Sequence, residues 1–243
     1  IDIITAFEKL NIQLLSKGID NFRGMDILND VFGKFLADSF ANEKQLGQYL
    51  TPTEVVKFMV DLAIESMSED EIEKLYNPRC EQFGLILDPS CGVGSFLTEI
   101  LRSLYIEVEK HQKSDFKKQW IECMVSRVLV GIDKSERMIR LALTNMATFG
   151  LPAAQLHLAN SLTKKGTDAE ITRSLEGKVQ LILTNPPFGA EFRGDDVFGY
   201  RIRHTGTGKA STKINSEVLF IERYLDWLAP GGQFLAIIPD SIL

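Results

Sequence analysis

Residues 84–108 read GLILDPSCGVGSFLTEILRSLYIEV. A short apolar run, Leu85 to Leu87, ends at Asp88 and Pro89, glycines follow at 92 and 94, and apolar residues then recur at helical spacing. That order predicts a buried strand, a tight turn and a helix. The alternation continues downstream. RVLVGID (127–133) leads into the helix SERMIRLALTNMATFG (135–150), while AQLHLANSL (154–162) and KVQLILTNPP (178–187) are two further strands. The helix SEVLFIERYLDWLAP (216–230) precedes a Gly-Gly turn and the strand QFLAIIPD (233–240). Strands alternating with helices imply a parallel sheet covered on both faces, so the expected class is α/β, a doubly wound Rossmann-like sheet.

Upstream, residues 1–45 read as a helical amino-terminal region, with Ile27, Leu28, Val31, Phe32, Phe35 and Leu36 at helical spacing, and residues 46–243 form the sheet domain. In GQYLTPTEVVKFMVDLAIESM (47–67), Thr51 is the expected N-cap, Pro52 the first helical residue and Glu54 the partner in a capping box. The acidic stretch SEDEIEKLYNPRCEQFG (68–84) reads as a helix end and connecting loop, and YIEVEKHQKSDFKKQWIECMVS (105–126) as a helical insertion between the first two strands. The five strands stop before the antiparallel pair that would complete such a sheet, which suggests a domain truncated at its carboxyl end.

Composition sets the outer limits. The 243 residues are 44% hydrophobic and 25% charged, enough for a sizeable core. No apolar run approaches the ~20 residues of a membrane span, and the amino end lacks the pattern of a signal peptide. Cys80, Cys91 and Cys123 lie far apart without metal-ligand spacing, so the expectation is free thiols, no zinc and a cytoplasmic location. A net charge of −6 argues against a surface that grips nucleic acid everywhere, leaving any such contact local or lent by a partner.

In an open parallel sheet, chemistry collects beyond the carboxyl ends of the strands, where strand order reverses. Asp88 ends the first strand, and Gly92 and Gly94 either let backbone approach a ligand or simply make the turn. Asp133 ends the second strand, either accepting from ribose hydroxyls or capping the helix near Ser135. Asn160, after the third, is either a ligand contact or a turn residue. A dinucleotide site is disfavoured because the turn lacks its third glycine and Asp133 stands 45 positions beyond Asp88. GTGKAS is no phosphate loop either: Arg203 replaces the first glycine and Ala210 the final hydroxyl.

The fourth strand runs into NPPFG (185–189). An aromatic exocyclic amine is a poor nucleophile because its lone pair is delocalised into the ring. The side-chain oxygen of Asn185 and the main-chain carbonyl of Pro186 could hold its two N–H bonds and favour the pyramidal geometry of attack. Pro186 and Pro187 keep the segment rigid. Phe188 offers a face for a base, which reaches such a pocket only by leaving its duplex. The bland alternative is a strand ended by two prolines, with Phe188 in the core.

Taken in order, GQYLTPTEVVKFMV, DPSCGVGSFL, GIDKSERMIRLALTNMATFG, NPPFG and SEVLFIERYLDWLAPGGQFLAIIPDSIL resemble the amino-methylating DNA methyltransferases that use S-adenosylmethionine, in the γ order of motifs. Within them the chain is most similar to the modification subunit of type I restriction–modification systems, in the N6-adenine DNA methylase family. The resemblance implies that residues 46–243 are a methyltransferase domain. It also implies that Gln48, Tyr49, Thr51, Pro52 and the loop Asp88–Phe96, including Ser90, Gly92, Gly94 and Ser95, meet the methionine part of the cofactor. By the same resemblance Asp133 holds the ribose, Asn160 approaches the cofactor adenine where many relatives carry aspartate, and Asn185, Pro186, Pro187 and Phe188 hold the target adenine. DNA, a specificity subunit and a restriction subunit are the implied partners. Transfer to cytosine N4, RNA or a protein glutamine, and a non-catalytic cofactor-binding subunit, are the alternatives. The basic, glycine-rich stretch GAEFRGDDVFGYRIRHTGTGKASTK (189–213) reads as a surface loop or a DNA contact.

Overall fold

Leu129, Val130 and Ile132 show why the strands read as continuous apolar runs: Leu129 packs into one core, Val130 and Ile132 into another on the opposite face of the sheet. Leu181 and Leu183 likewise face the first core, and Val179 and Ile182 the second. A strand buried on both faces has no polar side, so alternation disappears from its sequence. The computed structural model describes residues 50–77, 83–111, 114–147, 155–167, 169–193, 197–202 and 213–242. The expected helical region 1–45, Gln48 and Tyr49 lie outside the described residues.

Helices α1 (Thr53–Ser66) and α2 (Glu69–Tyr76) precede β1 (Ile86–Asp88), and α3 (Ser95–His111), α4 (Ser114–Cys123) and a π-helical turn (Met124–Val128) follow it. Next come β2 (Leu129–Asp133), α5 (Glu136–Ala147), β3 (Gln155–Leu158), α6 (Ala169–Ser174) and β4 (Val179–Thr184). A short antiparallel pair, β5 (Glu191–Phe192) and β6 (Ile214–Asn215), then leads to α7 (Ser216–Trp227) and β7 (Leu228–Ala236). The five-stranded sheet has the order β3-β2-β1-β4-β7, with every pairing parallel. Strand order therefore reverses between β1 and β4. Val56, Met59 and Val60 of α1 pack with α3 and α4 in the first core, and Phe220, Tyr224 and Trp227 of α7 cover the other face.

Several local expectations are corrected. Thr51 is not a helix cap: Pro52 occupies the cap of α1, with no side-chain cap bond, because the Thr51 hydroxyl is engaged by Asn185. The capping box forms one helix later, where Ser68 Oγ accepts from Glu71 N and Glu71 Oε2 accepts from Ser68 N at 2.8 Å. The acidic stretch after residue 68 is thus the start of α2, its Glu69, Asp70 and Glu71 sitting at the positive end of the helix. The last strand begins at Leu228 and carries the Gly-Gly pair within a register shift rather than a preceding turn. Cys123 is disulfide-bonded, so free thiols are not the rule, although Cys91 is free and buried. Residues 197–202 are not a free loop: Tyr200 is buried, its hydroxyl donates to Leu162 O, and the amides of Arg201 and Ile202 donate to Glu222. Among the described residues no helix is long and apolar enough to cross a membrane.

Candidate active site

The reversal between β1 and β4 places Asp88 beside Thr184, whose hydroxyl donates to Asp88 Oδ1 at 2.7 Å. Ser90 N donates to the same oxygen at 3.1 Å. Asp88 is fully buried, and burial pushes its carboxyl up to about 7 despite these two donors, with Asp133 adding to the rise. The chain turns through Gly92 at φ +51° and Gly94 at φ +81°, conformations that L side chains rarely adopt. A Cβ on Gly94 would meet Ala142 at 3.4 Å, so this glycine serves packing against α5, whereas a Cβ on Gly92 would meet nothing within 4 Å and would project into open space.

Asp133, at the end of β2, takes the local role at the start of the next helix and adds a bond that its position did not announce. Its Oδ1 accepts from Ser135 N at 2.8 Å, and its Oδ2 accepts from Gly92 N at 3.0 Å, stitching the glycine turn to the neighbouring strand. Burial raises its carboxyl, opposed by the amides of Ser135 and Gly92. Beyond β3, Asn160 Oδ1 accepts from Leu162 N at 3.0 Å, the turn role. Ser161 Oγ donates to Pro89 O at 2.6 Å, and the buried Arg223 donates through Nε to Ser161 O, so α7 braces both loops from below.

These strand ends surround a cavity of about 510 Å³. Ser90 and Gly92 come from the β1 turn, Asp133 from β2, Asn160 from β3, and Asn185 and Pro187 from β4. A smaller adjoining space is bounded by Thr51, Asp88, Ser95 and Phe96. Pro52, Gly94, Pro186 and Phe188 line neither space. Phe188 is 42% exposed, which removes the reading of it as a core residue and leaves a ring face open. Leu50, Val93, Lys134, Arg137, Met138, Ala159 and Phe220 also line the cavity without having been singled out. For Lys134 to Met138 the signal was present, as the first turn of a helix directly after the strand-end acid.

Asn185 carries the decisive geometry. Its Nδ2 donates to Thr51 Oγ1 at 3.1 Å, which fixes the orientation of the amide. Its Oδ1 is buried and has no hydrogen-bond partner. Ser90 Oγ, in the same cavity lining, is likewise buried and unpartnered. Buried polar atoms are normally satisfied, so an unpartnered acceptor and an unpartnered hydroxyl in one site stand out. The cavity is of nucleoside size, with the Asp133 carboxyl and the open approach at Gly92, while Asp88 and the first residues of α3 border the smaller adjoining space.

Residues 23–243 match the N-6 DNA methylase family. The chain belongs to that family. It is 30% identical over 178 residues to the type II methyltransferase M.MamI of Microbacterium ammoniaphilum, covering 73% of this chain and 44% of that protein. It is 24% identical over 242 residues to the type I restriction enzyme EcoKI methylase subunit of Escherichia coli K12, covering 93% of this chain and 40% of that subunit. A solved chain of a type I restriction–modification system superposes with a TM-score of 0.55 at 22% identity, covering 88% of this chain and 37% of that one, a likeness of fold. The chain thus spans less than half the length of the two relatives. The resemblance read from the ordered motifs, to N6-adenine methylases and type I modification subunits, is borne out at the level of the family.

Proposed function

We propose that this chain forms the catalytic core of a modification enzyme that transfers the methyl group of S-adenosylmethionine to the N6 amine of an adenine flipped out of DNA. The observation that carries the reading is Asn185, a residue of the cavity lining whose amide is held through Nδ2 by Thr51 while its Oδ1 is buried without a hydrogen-bond partner. When bound, the cofactor supplies a methyl group activated on a sulfonium. The chain's residues fit it: Asp88 and the amino end of α3 suit the ammonium and carboxylate of its methionine part, Ser90 Oγ offers a free hydroxyl, and Asp133 suits a ribose. Asn160 lines the same cavity, and with its Oδ1 occupied by Leu162 N, only its remaining amide atoms would be left to hold the cofactor adenine.

At the target, Asn185 Oδ1 and the main-chain carbonyl of Pro186 accept the two amine N–H bonds. That hold would turn the nitrogen lone pair out of conjugation and leave it able to accept the methyl group that the cofactor would supply. Both acceptors are fixed before the reaction, so they stabilise the developing charge without reorganising. Phe188 stacks on the extruded base, and Pro187 keeps the backbone between them stiff. A specificity subunit supplies sequence readout, a restriction subunit joins the same system, and a cytoplasmic location follows from the substrate rather than from the cysteines.

The test is transfer of labelled methyl by the full-length protein with its partner subunit, followed by identification of the product nucleoside. N6-methyladenine is the expected product. N4-methylcytosine, methylated RNA or methylglutamine would move the chemistry to another amine. Cofactor binding without transfer to any acceptor would mark a non-catalytic subunit.

A further inference from the structure

We infer that Glu217 is a positioning residue that sets the height and tilt of Phe188 over the target base, an inference that rests on the methyl-transfer reading above. Glu217 lies in the first turn of α7 and is only 4% exposed. Its Oε1 accepts from Gly189 N, the residue directly after Phe188, at 2.9 Å. Its Oε2 lies 3.1 Å from Ser216 Oγ, and that hydroxyl also stands 3.3 Å from Pro187 O, on the other side of Phe188. Ser216 N donates to Ala190 O at 2.8 Å, and the β5–β6 pair continues the attachment through Glu191 and Asn215.

A carboxylate is costly to bury and is retained where it has donors to satisfy it. Here the donors are the backbone of the catalytic motif and a serine touching that motif. A charge-assisted bond of this kind is short, directional and stronger than a neutral one. The motif is therefore tied at both ends, Asn185 to Thr51 before the prolines and Gly189 to Glu217 after them. Between the ties Phe188 is 42% exposed, so its ring is placed by the backbone on either side rather than by a surrounding core. Pro186 and Pro187 fix φ upstream, and Glu217 supplies the restraint downstream. Releasing that restraint does not act directly on the cofactor segments, which follow β1, β2 and β3 and precede α1.

The experiment uses the full-length enzyme with its DNA-recognition partner and compares wild type, Glu217→Ala and Glu217→Gln. S-adenosylmethionine affinity is measured by calorimetry, base extrusion by the fluorescence of 2-aminopurine at the target adenine, and kcat by labelled transfer. Glu217→Ala is expected to keep cofactor affinity within about twofold, to weaken the fluorescence rise, and to lower kcat about ten- to a hundredfold, the scale of a small misplacement at a reacting centre. Glu217→Gln retains an oxygen for Gly189 N and an amide for Ser216, and is expected to recover most of the turnover. Wild-type fluorescence and kcat in Glu217→Ala would overturn the inference, as would a parallel loss of cofactor affinity or a glutamine variant no better than alanine. A wild-type enzyme that moved no methyl to DNA would instead defeat the methyl-transfer reading, and this inference with it.

Discussion

Thr51→Val removes a hydroxyl and keeps the side chain's size. In the wild-type protein Thr51 Oγ1 accepts from Asn185 Nδ2 at 3.1 Å, leaving Asn185 Oδ1 as the open acceptor. With valine, the reactive orientation of the amide strands Nδ2 against a methyl group. Leaving a donor unsatisfied away from water costs about 1–3 kcal/mol. At about 1.4 kcal/mol per tenfold in rate, kcat should fall about 5- to 150-fold. Thr51→Ser retains the oxygen and should recover most of that loss. Single-turnover transfer of labelled methyl at saturating cofactor, by the full-length enzyme with its partner, reads the effect, and calorimetry reads cofactor affinity separately. Weaker S-adenosylmethionine binding with an unchanged single-turnover rate would refute the reasoning, because Thr51 would then be a cofactor contact, the role its motif resemblance implies, and not the holder of the amide.

Gly92→Val forces a branched side chain into a φ of +51° and into the open cavity, so S-adenosylmethionine affinity should be lost in calorimetry while the sheet remains folded by circular dichroism. Asp88, pushed up to about 7 by burial, should make cofactor binding pH-dependent: the ionised carboxylate suits an ammonium, so affinity should rise as pH climbs through about 7, and Asp88→Asn should flatten that rise. The sign for the free protein is opposite, since a carboxyl raised from 3.8 holds its proton longer in the folded state, and stability from this group should decline between 3.8 and about 7 in denaturant titrations. Ser68→Ala removes the capping box of α2 and should cost about 1 kcal/mol, read as a lower melting temperature. Glu71 in that box is held below its usual range by its bonds to Ser68, so its contribution should be present above pH 4.5 and lost as pH falls through the lowered value.

What the sequence disclosed followed from how local the cause was. The strands were legible because a parallel sheet buries both faces, and the order of strand, glycine turn and helix is written within a few residues. The bond of Asp133 to Ser135 N was legible because that partner lies two residues along the chain, whereas its bond to Gly92 N, 41 positions away, was not. Thr51 was misread because its partner lies 134 positions away, and no local pattern distinguishes a capping hydroxyl from one claimed by tertiary structure. The Ser68-x-x-Glu71 box is written in the sequence, but the run of acids around it reads as a helix end and connecting loop. Gly131 gave no signal of its packing role, yet a Cβ there would lie 2.5 Å from Leu156 and 2.8 Å from Leu97, so it sets how closely α3 crosses β2. Nothing in the helix SEVLFIERYLDWLAP marks out Glu217 or Arg223, and only the fold reveals that both are buried against the backbone of the site.

The most direct test of the central claim is Asn185→Ala in the full-length enzyme with its partner, assayed for cofactor binding and for methyl transfer to adenine in the same preparation. Loss of one fixed acceptor at the developing charge is expected to lower kcat about a hundredfold or more, while S-adenosylmethionine binds as in the wild type. Transfer at a near-normal rate with N6-methyladenine as product would contradict the account, because the open oxygen of Asn185 would then have no part in the chemistry.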